Sequence, residues 1–158
     1  MKWKNIIRYP AIVLFAWLLP SLAGAQSCDP LDARQLKDML TQMGYTVKEL
    51  NTESGKEKYE VMIKTSSFNV PVAYEISASK NFIWLTAHLG SPKDEYSTTN
   101  AALLKQNGKI QPCQFYITEK GKLMMGLAVE NRGITPAIMR RHTDKFTSDV
   151  NNTSSYWQ

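Results

Sequence analysis

The sequence predicts an α+β fold: a helix, an antiparallel sheet, a second helix, a β-hairpin and a closing helix. Three observations carry this. Apolar residues recur at helical spacing near both ends of the chain, and the middle switches to strict alternation. The alternating runs are separated by hairpin-length turns, not by helices. A parallel doubly wound sheet would need a helix between most strands, and the pattern has none there.

Taken in order, Asp29-Pro30 predicts the first helix start, an Asp cap with Pro at the first helical position. Leu36, Met39, Leu40 and Met43 then share one face, and Gly44 ends the helix as a left-handed cap. Tyr45 and Val47 alternate with polar neighbours; residues 51–58 are polar, contain Gly55 and read as a loop. Tyr59, Val61 and Ile63 alternate next. Phe68, Val70, Val72, Tyr74 and Ile76 form the longest clean alternation, a strand with one buried face. Pro71 within it lacks a donor and predicts a sheet edge or a bulge. Residues 82–89 are apolar on both faces and predict a central strand. Residues 97–107 read as the second helix, ended by Gly108. Phe115 and Ile117, a turn at Glu119 to Lys122, and Leu123, Met125, Leu127 and Val129 make the hairpin. The small residues Gly126 and Ala128 leave room for a helix or backbone to come close. Thr135-Pro136 starts the last helix, again a cap followed by Pro.

The first 25 residues read as a secretory signal peptide. Lys2, Lys4 and Arg8 form a positive head, residues 11–19 an apolar run, and Ala23-Gly24-Ala25 a cleavage site. The run falls short of the roughly 20 residues a membrane span needs, so no span is expected after cleavage. A single domain over residues 26–158, exported to the periplasm, the envelope or beyond, is the expectation. An uncleaved anchor and a lipidated Cys28 are the alternatives; Gln26 and Ala25 fit a lipidation signal poorly. Export permits a disulfide between Cys28 and Cys113, which would close a long loop worth ~3–5 kcal/mol; two free thiols are the other reading.

Three of the 19 basic residues lie in the leader, leaving 16 against 14 acidic ones, a net of +2. That balance, with the basic residues scattered, gives no footprint for nucleic acid. Catalytic signatures are missing: no nucleophile elbow, phosphate loop, zinc-protease helix or Cys-x-x-Cys occurs. Cys28, Cys113, His88 and His142 lack the spacing of a zinc set, so no metal and no cofactor is expected. Asp94-Glu95 reads as a solvated loop, His88 as a half-buried histidine at a strand end, and the methionines mainly as core filler.

The stretch from Ile134 to Phe146 groups His142 with Arg140 and Arg141. On a helical wheel His142 falls with Ile138, Met139, Phe146 and Val150 in the apolar stripe, a core histidine bonded to a neighbour. Arg140 and Arg141 fall outside it, which leaves them as candidate partner contacts.

The run from Asn100 to Gly108, then Ile110, Pro112 and Phe115, a glycine turn, Leu123 to Leu127, and Gly133 to Pro136 form a series of features. The series resembles the type III secretion chaperone-like superfamily, which includes the YbjN-like sensory transduction regulator domains, over residues 30–150. The resemblance implies the fold order above, frequent homodimers, surface binding of extended client segments, and no catalytic residues. An export signal and a mildly basic mature chain depart from the cytosolic, acidic chaperones, which removes the cytosolic secretion role. The resulting expectation is an exported, non-enzymatic module that binds an unknown polypeptide, or itself, through sheet edges and exposed apolar patches. The alternative is a small-ligand or sensory domain of the envelope, which needs a sizeable apolar pocket.

Overall fold

A computed structural model describes residues 29–92 and 98–158. Its elements follow the predicted order: α1 (Ala33–Gln42), β1 (Val47–Asn51), β2 (Lys58–Lys64), β3 (Asn69–Ile76), β4 (Phe82–Gly90), α2 (Thr98–Asn107), β5 (Gln114–Ile117), β6 (Leu123–Glu130) and α3 (Pro136–Asn152). A 3-10 turn, Ser154–Tyr156, follows α3. The six strands form one antiparallel sheet in the order β1-β2-β3-β4-β6-β5. The fold is therefore α+β. Cys28 and Asp94-Glu95 lie outside the described residues.

One face of the sheet makes the core. Val61, Val72, Tyr74, Leu85, Met125 and Leu127 are fully buried there, against Leu36 and Leu40 of α1 and Met139, Phe146 and Val150 of α3. The period-two pattern of β3 puts Val70, Val72 and Tyr74 inward and Asn69, Pro71, Ala73 and Glu75 outward. Tyr74 is fully buried; its hydroxyl meets the Thr143 hydroxyl at 2.8 Å, which gives the core's polar atom a partner. Phe68 stands edge-on to Trp157 at 5.7 Å, which docks the C-terminus on the same layer.

Five expectations are corrected. First, α1 starts one turn later than Asp29-Pro30 suggests. Asp32 is the cap: its carboxylate accepts from Gln35 N at 2.7 Å, and the Gln35 side chain accepts from Asp32 N at 2.8 Å. This reciprocal box satisfies two orphan donors, which a lone Asp-Pro cannot. Second, Pro71 lies in an interior strand, between β2 and β4. It stands opposite Met62 of β2, and the β3–β4 register begins only at Ala73. The missing donor falls where no ladder bond is required.

Third, His88 is exposed, not half-buried, beside the register shift that ends β4. Fourth, the buried stripe of α3 is Met139, Thr143, Phe146 and Val150; His142 is half-buried at its margin. Thr143 takes the central place because its hydroxyl has partners in Met139 O and Tyr74. The small residues of β6 also act differently from expectation. No helix lies over Gly126 among the described residues; a Cβ there would sit 2.9 Å from Tyr116 Cε1, so the tyrosine ring lies across the glycine.

Candidate functional site

Both sheet edges are blunted, by different devices. At β5 the side chain of Asn107, the last residue of α2, imitates a neighbouring strand. Its Oδ1 accepts from Phe115 N at 2.7 Å and its Nδ2 donates to Phe115 O at 3.2 Å. The N–H of Cys113, just before β5, donates to Ile110 O at 3.0 Å. At β1 the register shifts between Glu49 and Asn51, and the strand carries charges held in ion pairs, Lys37–Glu49 at 2.6 Å and Lys48–Glu60 at 3.4 Å. Bulges and charges on an edge discourage pairing with another chain.

An apolar groove opens where α2 meets the hairpin. Leu103, Leu104, Phe115, Tyr116, Ile117 and Leu123 line it, with Asn100 at its margin, and its volume is about 170 Å³. The local sequence explains its shape. Leu103 turns inward onto Phe115, while Leu104, next on the helix, stands 68% exposed at the rim. Ile117 ends β5 on the other rim at 47% exposure. Gly121, at φ 69, lets the hairpin turn back so that Leu123 forms the floor. Exposed large apolar residues on both lips of an apolar hollow mark a contact surface more clearly than scattered ones do.

Arg140 lies elsewhere and is engaged within the chain. Its guanidinium donates to Met43 O and to Tyr45 Oη, and sits over the Tyr45 ring at 5.2 Å. It clips α3 to the turn after α1. Arg141 is exposed on the neighbouring helical position. It lowers the His142 pKa as the second cause, after burial. The two arginines and the groove do not form one site.

Cys113 is buried. Burial first, then its contact with the Asp149 carboxylate, pushes the thiol up to about 12. Asp149 is in turn paired with Lys145, which also donates to Ile110 O at 3.1 Å. This cluster anchors the α2–β5 connection to α3. A thiol so protonated is a poor nucleophile. Among the described residues no three His, Cys, Asp or Glu side chains gather as metal ligands, and no helix is long and apolar enough to cross a membrane.

The groove escaped sequence reading because it is made by residues distant in the chain. One signal was present: adjacent Leu103 and Leu104 in a helix of mixed polarity cannot both face inward. Met62 also departs from the core-filler expectation, being 56% exposed, while Met39, Met125 and Met139 are buried as expected.

No family model matches the sequence, and no curated protein matches it significantly. Among solved structures the chain is similar to a chain of the heterodimeric ExoU-SpcU complex from the type III secretion system of Pseudomonas aeruginosa. The identity is 14% and the TM-score 0.47, over 77% of this chain and 96% of that one. Nothing about this chain's partner or activity follows from that likeness.

Proposed function

We propose that this chain is a non-enzymatic module that holds a polypeptide partner by an apolar side chain seated in the groove between α2 and β5. The observation that carries it is the groove's size and lining. About 170 Å³ of apolar hollow, rimmed by Leu104 and Ile117, suits one large side chain of an anchor residue. It is small beside the roughly 300–1,000 Å³ of ordinary small-molecule sites. That favours a polypeptide over the free small ligand. The larger hollows, such as the one of about 480 Å³ at Tyr45, Lys48 and Met62, are mixed in polarity. The Asn107 clamp on Phe115 supports anchoring by side chain here over strand addition.

The leader at residues 1–25 supports export of this module, and an exported form beginning at Gln26 is expected by mass spectrometry. A photo-crosslinking residue at position 104, installed in the producing cell, tests the binding site. Discrete polypeptide adducts are expected at 104 and not at the exposed Ser155, and Ile117→Lys is expected to abolish them. Equal labelling at both positions, or none, refutes the proposal.

A further inference from the structure

The charge of this chain is unevenly spread, and its excess gathers around the groove between α2 and β5. Residues 26–158 carry a net of +2. Residues 93–128 hold five basic residues against three acidic ones, which is the whole of that excess; the rest of residues 26–158 hold 11 of each. Elsewhere most lysines already have a carboxylate: Lys37, Lys48, Lys56, Lys58 and Lys145 each sit in an ion pair. Lys105, Lys109, Lys120 and Lys122 are exposed and sit in no ion pair among the described residues. Lys64 and Lys80 are unpaired there too, but they stand singly, one at the end of β2 and one in the β3–β4 turn.

Three of the four clustered lysines adjoin the lining of the groove. Lys105 follows Leu104 and Lys122 precedes Leu123, so the Cα of each lies about 3.8 Å from that of a lining residue. Lys120 stands three residues beyond Ile117, at most ~11 Å away. Its turn is closed by Thr118 N–H donating to Lys122 O at 2.9 Å and Gly121 N–H donating to Thr118 O at 2.8 Å. Exposed charges act over about 8 Å at physiological salt, so these lysines bear on whatever enters the groove. Glu119 is the one acidic residue between Thr98 and Ala128. The result is an apolar hollow with a basic rim, the layout of an anchor pocket ringed by polar groups.

We infer that the polypeptide seated in this groove is acidic: its apolar anchor residue is flanked by aspartate or glutamate. This rests on the groove as a side-chain site and adds the chemistry of the flanks. Charge complementarity selects that occupant. Acidic flanks meet lysines that hold no carboxylate within the described chain, so no ion pair has to be broken to bind them. Basic flanks would set like charge against the rim, which costs affinity and excludes such partners. Rim charges of this kind act on the rate of encounter and on its salt dependence, while the buried anchor holds the complex together. An anionic membrane offers the same charge on a flat surface. Leu104 and Ile117 stand instead on opposite lips of a hollow, which a protruding side chain fills.

Fluorescence anisotropy of the purified chain with three short labelled peptides tests this. The peptides share one central phenylalanine and differ only in its flanks: aspartate and glutamate, asparagine and glutamine, or lysine. The acidic peptide is expected to bind about tenfold more tightly than the neutral one, and the lysine peptide most weakly. The preference is expected to shrink as salt rises from ~0.05 to ~0.5 M. Lys120→Glu with Lys122→Glu is expected to reverse the order of the acidic and lysine peptides. Lys64→Glu with Lys80→Glu makes the same change of charge away from the groove and is expected to leave the order as it was. Leu104→Asn is expected to weaken all three peptides, with unchanged circular dichroism. Equal affinity for acidic and neutral flanks, lost on Leu104→Asn, overturns this inference and leaves the side-chain site standing. A preference that survives the Lys120 and Lys122 reversals, or no binding of any peptide, also overturns it. So does binding to phosphatidylglycerol vesicles without binding to the acidic peptide, which would make a membrane surface the occupant.

Discussion

Asn131 concentrates more of the fold's long-range bonding than any neighbour in sequence suggests. It follows β6 directly and is fully buried. Its side-chain oxygen accepts from Leu31 N at 3.1 Å; its amide nitrogen donates to Leu31 O and Lys80 O, both at 3.0 Å. One side chain thus ties the segment before α1 to the β3–β4 turn, where Lys80 holds a φ of 59. Asn131→Ala removes three bonds and leaves one N–H and two carbonyls without protein partners. At about 1 kcal/mol per bond, a cost of ~2–4 kcal/mol is expected, since these groups are only partly buried and water recovers some of the loss. Asn131→Asp keeps the acceptor for Leu31 N but aims lone pairs at two carbonyls, and is expected to cost as much near neutral pH. Urea unfolding followed by tryptophan fluorescence measures both, with the m-value unchanged if the cost lies in the folded state. Exposed Asn152, replaced by Ala, serves as the control. A loss below about 1 kcal/mol for Asn131→Ala would show that the three bonds are not coupled to global folding.

Further outcomes follow from packing and titration. Gly126→Ala is expected to cost ~1–3 kcal/mol by forcing Tyr116 off the sheet, and to cost much less in a Tyr116→Ala background; equal costs in both would deny the contact. The His142 pKa is lowered in the folded state by burial and by Arg141, so stability is full above the unfolded value of 6.5 and falls as pH drops below it. His142→Gln is expected to flatten the urea midpoint between pH 7 and 5, and an unchanged slope would refute this. Cys113, raised from 9.0 to about 12, favours the folded state increasingly less as pH rises from 9 towards 12. In the reduced chain it is expected to resist iodoacetamide at pH 8 until urea unfolds the protein; rapid native alkylation would contradict its burial.

Individual residues show why part of this was readable in advance. The β3 alternation from Val70 to Ile76 predicts a half-buried strand because a pleat sends alternate side chains to opposite faces whatever surrounds it. Thr135-Pro136 predicts the start of α3 because capping is settled within one turn, and Thr135 does accept from Ile138 N at 3.2 Å. Asp29-Pro30 misleads because two caps compete within four residues, and Asp32 prevails through its reciprocal box with Gln35, beside a Leu31 pinned by Asn131, 100 residues away. Pro71 misleads because a missing donor reports one side of one residue, not the place of a strand in a sheet. His142 misleads because a wheel ranks faces by hydropathy, whereas Thr143 earns its central place through a hydroxyl partner on another strand.

The sequence by itself determined the α+β class, the order of elements and which strand residues face inward, since these depend on spacing, caps and turns within a few residues. The tertiary structure alone decided that Asn107 closes one edge, that Leu103 and Leu104 open a groove with Phe115 and Ile117, and that Tyr116 lies flat over Gly126. Each of these is a contact between segments that the chain brings together only on folding, and no local pattern encodes which side chain meets which across a sheet.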